Sequence, residues 1–275
     1  MCELKPSDIK VCILRVGGTN CDAETKRAFN DLGVKAEIIH FNELLKKRNL
    51  LDYDGLVFPG GFSYGDYVRA GVIWAKSVAA KLGAELKRFV EEERPVLGIC
   101  NGFQVLVEAG LLPAFDGISE YPEAVLAPNV PPGYNCRWIH LKHENSGKCI
   151  FTQRIPKNKV LKIPVAHSEG RFLFPKEKET EYLKKLYDND QLVFRYCDAD
   201  GTYAESEYPA NPNGAFHDIA GISNPSGTVF GLMPHPERAY NGWQLPNWTK
   251  EEHLPEMGDG KLIFESVVEF LTRKA

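Results

Sequence analysis

The chain has 275 residues, of which 43% are hydrophobic and 25% charged, and carries a formal net charge of −4. That length can bury one substantial core, so residues 1–275 are expected to form one domain, and the slightly acidic balance excludes any general pull toward nucleic acid or an anionic membrane. Residues 1–10 carry Glu3, Lys5 and Asp8 and lack the apolar centre of a signal peptide. No stretch approaches the about 20 apolar residues of a membrane span, so the cytoplasm is the expected location.

Taken in chain order, residues 9–16 form an apolar strand-like run, and Gly17-Gly18 turns the chain. Ala23, Ala28, Phe29 and Leu32 then make a helical stripe closed by Gly33. Residues 36–40 and 55–58 are two further strands, the second ending in the turn Pro59-Gly60-Gly61. Residues 82–92 are predicted helical, with Leu82, Leu86, Phe89 and Val90 inward, and Lys46-Lys47-Arg48 reads as a solvated helix face. Residues 96–99 are the next strand and 103–109 the helix after it. Strands alternating with helices imply an α/β fold with a mainly parallel central sheet covered by helices on both faces. Chemistry in such a sheet belongs at the carboxyl ends of the strands, where Gly60-Gly61 and Cys100 both fall.

Beyond residue 112 the pattern changes to shorter strands at 138–141, 159–165, 192–196 and 228–232, and a last helix at 260–272 built on Leu262, Ile263, Val267, Phe270 and Leu271. Asn211-Pro212-Asn213-Gly214 has turn chemistry. Residues 241–259 form a long excursion whose Trp243 and Trp248 either cover the core or meet a partner.

One run stands out: Gly98-Ile99-Cys100-Asn101-Gly102, where a buried strand meets a helix. It is the thiol form of the G-x-S-x-G nucleophile elbow, whose flanking glycines are needed because side chains would collide across so sharp a turn. The unpaired amides that open the following helix favour thiolate over thiol and can hold a developing oxyanion. Far downstream, Met233-Pro234-His235-Pro236-Glu237-Arg238 offers an imidazole and a carboxylate. The two prolines predict an extended stretch, in which His235 and Glu237 project to one side. A carboxylate beside an imidazole can fix its tautomer and stabilise its charged form, as a Cys-His-acid relay requires.

With these two motifs stand three more: Gly18-Thr19-Asn20-Cys21-Asp22, Pro59-Gly60-Gly61-Phe62-Ser63-Tyr64-Gly65-Asp66-Tyr67-Val68-Arg69, and Pro164-Val165-Ala166-His167-Ser168-Glu169-Gly170. Over nearly its whole length the chain resembles the class I, triad-type glutamine amidotransferases. Within them it resembles the glutaminase-subunit family of the phosphoribosylformylglycinamidine synthases, narrowed by the Gly-Phe-Ser-Tyr-Gly-Asp-Tyr and Asn-Gly-Phe-Gln stretches. Ser168 departs from the family's usual Ala-His-Gly-Glu-Gly. The resemblance implies a flavodoxin-like fold, with Cys100 as nucleophile, His235 as base and then acid, and Glu237 orienting the histidine. It further implies an oxyanion hole from the backbone of Gly60-Gly61 and the amide of Asn101, and contact of Gln104 with substrate; by spacing alone Gln104 is equally a helix-surface residue.

The reaction so implied is hydrolysis of L-glutamine to glutamate and ammonia. No G-x4-G-K-[ST] phosphate loop is present, and Gly60-Gly61-Phe62-Ser63-Tyr64-Gly65 lacks the lysine. No cofactor is therefore expected on this chain. The resemblance assigns ATP and Mg to a larger synthetase subunit, with a small accessory subunit as a further candidate member of the complex. That partner uses the ammonia to convert formylglycinamide ribonucleotide to formylglycinamidine ribonucleotide in purine biosynthesis, a ligase reaction. Three rivals stand beside this reading: a cysteine peptidase of the same architecture, although such relatives usually place histidine where Asn101 stands; a binding module that has lost its chemistry; and an amidotransferase serving another synthetase.

Seven cysteines, an odd number without regular spacing, point to reduced thiols. Cys136, His140, His143 and Cys149 have ligand types that suit zinc, but their spacing matches no standard site and His143 falls on the opposite strand face, so no metal is expected. Cys12 is a core position, and Cys21 is expected to be structural.

Overall fold

A computed structural model describes residues 4–250, 253 and 255–273. In chain order the elements are β1 (Lys10–Arg15), α1 (Asp22–Asp31), β2 (Lys35–His40), α2 (Phe41–Lys47), β3 (Gly55–Phe58), α3 (Val72–Glu91), β4 (Val96–Ile99) and α4 (Asn101–Glu108). They continue with β5 (Val125–Ala127), β6 (Asn135–His143), β7 (Val160–His167), β8 (Arg171–Leu173), α5 (Glu179–Asp188), β9 (Leu192–Cys197), β10 (Ile219–Ser223), β11 (Val229–Leu232) and α6 (Lys261–Arg273).

Nine strands join in one sheet of order β2-β1-β3-β4-β11-β10-β9-β6-β7. From β2 to β11 every pairing is parallel, and from β11 to β7 every pairing is antiparallel. The short strands of the second half therefore extend the central sheet rather than forming a layer of their own; β5 and β8 pair separately. The right-handed rule for parallel crossovers puts α1, which leads from β1 outward to β2, and α3, which leads from β3 inward to β4, on opposite faces. On one side Phe29 of α1 meets Phe264 of α6 edge-on at 5.2 Å; on the other Trp74 of α3 meets Phe58 at 5.4 Å.

Strands β3, β4 and β11 are buried at every position, as strands covered on both faces must be. Helix α3 begins at Val72, a full ten residues before the predicted start. Its first half buries Trp74, Ala75 and Val78 on one stripe, but the glycine-rich loop before it blurs the start in the sequence. Helix α5 and strand β10 carried no expectation. The first is mostly polar and buries only Leu186, and the second is a five-residue run without alternation. Among the described residues no helix is long and apolar enough to cross a membrane.

Candidate active site

Four carboxyl strand ends of the parallel half converge: β1 leads to the loop holding Asn20 and Cys21, β3 to Gly60-Gly61, β4 to Cys100, and β11 to His235. The end of β7 brings Ala166 and His167 alongside them. The register explains the meeting of the motifs. Gly98 lies opposite Gly231 and Ile99 opposite Leu232, so Cys100 leaves β4 beside the start of the Met233–His235 run, with its amide bonded to Leu232 O at 2.8 Å. The amide of His235 donates to Pro164 O of β7 at 2.8 Å, which fixes this segment across the gap between the strands.

Cys100 has φ 51° and ψ −107°, a strained conformation for a residue with a side chain. The glycines around it are required by close approach: a Cβ on Gly102 would stand 1.8 Å from the carbonyl oxygen of Phe58, and one on Gly98 2.6 Å from Leu106 Cδ1. All eight residues of α4 are buried, so this helix presents its first amides to the site from inside the core. The elbow is formed as its spacing predicts.

His235 and Glu237 also meet, but not through an extended chain. Pro236 opens a short 3-10 turn, Pro236–Ala239, because proline tolerates the first helical position. That turn swings the carboxylate back, and Glu237 Oε1 lies 2.6 Å from His235 Nδ1 with both side chains almost fully buried. The predicted excursion braces it: Gln244 Nε2 donates to Glu237 O at 3.2 Å, while Gln244 Oε1 accepts the amides of Tyr240 and Asn241. Trp243 and Trp248 are half exposed, so they do not cover the core.

Burial disfavours charge on His235, but Glu237, then Cys100 and Cys21, outweigh it and hold the imidazole well above the ordinary histidine range. The Nε2 atom of His235 is buried and has no hydrogen-bond partner among the described residues. The Cys100 thiol donates instead to Ala166 O at 3.7 Å. Behind it, burial and the nearby His235 charge lower His167 to about 3, so this second imidazole is neutral.

These groups line a small cleft shared by Asn20, Cys21, Gly61, Phe62, Cys100, Tyr134, Ala166, His235 and Arg238, with a free volume of about 20 Å³. That is the space of about one water molecule. Half-exposed Phe62 and Tyr134 stand at its rim, their ring centres 6.2 Å apart.

The remaining predicted site residues divide. Gly61 lines the cleft, and its amide takes no part in the pairing of this loop with residues 18–20, which runs through Asn20 N→Gly60 O and Phe62 N→Gly18 O. Gly60 lies under the imidazole, where a Cβ would stand 2.7 Å from His235 Cε1. Asn101 opens α4, and its side chain is turned inward, accepting from Ser63 N at 3.2 Å and donating to Gln104 Oε1 at 2.9 Å. Gln104 is buried, not a helix-surface residue, and its Nε2 donates to Glu169 O at 2.5 Å, so both ends of its amide are engaged within the protein. Ser168 stands outside the left-handed region, which removes any need for the family's glycine there.

Cys21, expected to be structural, is in the site: its Sγ accepts from Arg238 Nη2 at 3.0 Å and lies 3.9 Å from His235 Nδ1. Its position within a motif was the available signal. Tyr134 gave none, since only tertiary packing brings it to the rim. Among the described residues, the group of three or more possible metal ligands that converges is Cys21, His235 and Glu237, within 4.8 Å of one another. That set suits a cation poorly, because Arg238 already places positive charge on the sulfur. Cys136, His140, His143 and Cys149 form no such group. The arrangement can attack a carbonyl with sulfur, move a proton through an imidazole and stabilise the charge on that ring.

Residues 8–271 match the CobB/CobQ-like glutamine amidotransferase domain family. The phosphoribosylformylglycinamidine synthase subunit PurQ of Archaeoglobus fulgidus is 50% identical, over 97% of this chain and 98% of that one. Its counterpart in Methanococcus maripaludis is 41% identical, over 96% and 98%. A solved chain of PurLQS from Thermotoga maritima superposes with a TM-score of 0.69 at 31% identity, covering 96% of this chain and 99% of that one. Matched by the family model over residues 8–271 and by such relatives over nearly its full length, this chain belongs to the CobB/CobQ-like glutamine amidotransferase family.

Proposed function

We propose that this chain is the glutaminase subunit of a phosphoribosylformylglycinamidine synthase. It hydrolyses L-glutamine to glutamate and ammonia and supplies the ammonia to a larger synthetase subunit. That partner converts formylglycinamide ribonucleotide to formylglycinamidine ribonucleotide in purine biosynthesis. The observation that carries the reading is the buried 2.6 Å His235–Glu237 pair, whose imidazole shares one cleft with a strained Cys100.

In this mechanism the Cys100 sulfur attacks the side-chain carbonyl carbon of glutamine, and His235 Nε2 takes the thiol proton. Glu237 holds the ring by Nδ1 and stabilises the imidazolium, in keeping with the raised pKa of His235. The amides of Gly61 and Asn101 stabilise the oxyanion, and we assign Gly60 the role of shaping that loop beneath the ring. The imidazolium protonates the departing nitrogen, ammonia leaves, and water activated by the neutral ring hydrolyses the glutamyl thioester. The Cys100 thiol, which donates to Ala166 O at rest, gives its proton to the ring in the first step. Gln104 acts by holding Asn101 and the Glu169 segment around bound glutamine.

A cleft with room for about one water does not admit a glutamine side chain. We infer that docking of the synthetase subunit moves the Phe62–Tyr134 rim and switches the glutaminase on; ATP and Mg belong to that partner. The unpaired thiols of Cys12, Cys21, Cys100, Cys136, Cys149 and Cys197 are in keeping with a cytoplasmic location.

The test is the reconstituted complex with Cys100→Ala. Glutamine-dependent synthesis is expected to vanish while ammonia-dependent synthesis continues, because the two reactions occupy different subunits. Retained glutamine-dependent turnover would refute the assignment. Steady-state glutaminase rates of the chain alone and in complex test the switch, and equal rates would refute it.

A further inference from the structure

The proposed chemistry uses one thiol of the cleft and leaves the other unexplained. Cys21 is 1% exposed, and every polar contact of its sulfur lies within the site. Its S–H donates to Asn20 Oδ1 at 3.1 Å, its lone pairs accept from Arg238 Nη2 at 3.0 Å, and His235 Nδ1 stands 3.9 Å away. The backbone is arranged to keep it there. The amide of Cys21 donates to Gly60 O at 3.2 Å, and a Cβ on Gly60 would fall 3.2 Å from the sulfur and 2.7 Å from the ring. Thiol, ring edge and glycine are thus packed into one contact, which a larger residue at 60 would break.

The electrostatic problem in this corner is clear. Arg238 is a permanent cation, and His235 becomes a cation when it takes the proton from the nucleophile. Two positive groups on one ring edge repel, and the imidazolium would lose stabilisation at the moment it forms. A sulfur between them satisfies the guanidinium without adding a charge of its own. Burial raises the pKa of Cys21, which keeps this acceptor a neutral thiol.

We infer that Cys21 is a positioning residue of the glutaminase site: its sulfur holds the Arg238 guanidinium off His235 and braces the Nδ1 edge of the ring against Glu237. The inference rests on the glutaminase reading. The charged or titratable groups that face His235 are Glu237, Cys100, Cys21, Arg238, His167 and Tyr134, so a change at position 21 acts on a ring whose other neighbours stay in place.

The experiment compares Cys21→Ala, Cys21→Ser and the parent chain in complex with the synthetase subunit. Ammonia-dependent synthesis reports that the complex is intact. Cys21→Ala is expected to lower kcat with glutamine about tenfold, the scale of one buried hydrogen bond to a charged group, with KM changed less than about twofold. The histidine limb of its kcat–pH profile moves to lower pH. Cys21→Ser, whose hydroxyl still accepts from Arg238, recovers most of the loss. Parent kcat and pH profile in Cys21→Ala would overturn the inference. So would equal losses in the two variants, or failure of both to fold, since each makes Cys21 a packing residue only. Failure of the glutaminase reading has a separate signature, which is glutamine-dependent turnover by Cys100→Ala.

Discussion

The two halves of the nine-stranded sheet differ in what they do for the cleft. In the parallel half, β1, β3, β4 and β11 each deliver a loop to the site from a carboxyl end, and β3, β4 and β11 are buried along their full length. In the antiparallel half, β6 alternates between buried and half-exposed positions from Ile139 to His143, and β7, at the edge of the sheet, contributes Ala166 and His167 at its very end. Parallel strands put all their carboxyl ends on one side, so several loops can converge there, whereas an antiparallel half offers only every other strand end. Substitutions in the first half should therefore act on chemistry, and those in the second on stability.

The largest expected effect is at the relay. His235→Ala should lower glutaminase kcat by about 10²–10⁴-fold, with ammonia-dependent synthesis by the complex as the control. Glu237→Gln keeps the shape but removes the strongest influence raising the histidine pKa. Its kcat should fall in the same range, and the histidine limb of the pH profile should move down. The sign follows from the raised value: the protonated ring contributes stability that is fully present below the unfolded histidine pKa and is lost as pH rises through the folded one. Chemical denaturation of the parent chain from pH 6 upward should show that loss, and the Glu237→Gln chain should show it at lower pH.

Next in size is the elbow. Gly102→Ala places a Cβ 1.8 Å from Phe58 O, against rigid strand backbone, and should cost about 3 kcal/mol or more in denaturant titration along with nearly all activity. The contrasting test lies in the other half. Leu141 of β6 is fully buried, and Leu141→Ala should cost about 2–5 kcal/mol while the folded fraction keeps its kcat. Equal catalytic damage from Leu141→Ala would break the division of labour. The smallest effect is at half-exposed Trp243, where alanine should change stability by no more than about 0.5 kcal/mol. A loss of affinity for the synthetase subunit in that variant would make the excursion a docking surface.

The same contrast explains what could be read from the sequence. The runs Val96-Leu97-Gly98-Ile99 and Val229-Phe230-Gly231-Leu232 are short, apolar and punctuated, so strand, elbow and relay partners were all legible. The His-x-Glu pairing was legible as chemistry but not as geometry: proline bars a helix interior, yet here it opens a 3-10 turn. Helix α5 escaped because its polar surface hides a single buried Leu186. Cys21 reads as structural in the sequence because its partners, Arg238 and His235, lie more than two hundred residues away. Neither periodicity nor spacing reports such a contact. Gln104 shows the reverse case, a residue named by resemblance whose amide is engaged by Asn101 and Glu169 rather than facing the cleft.

The most direct measurement traps the covalent intermediate. The complex turning over glutamine is quenched in acid and digested, and the thiol carrying the glutamyl group is mapped by mass spectrometry. The adduct is expected on Cys100, and to be absent when the Cys100→Ala chain is treated in the same way. An adduct on Cys21, or turnover with no adduct on any thiol, would contradict the role of Cys100 as nucleophile.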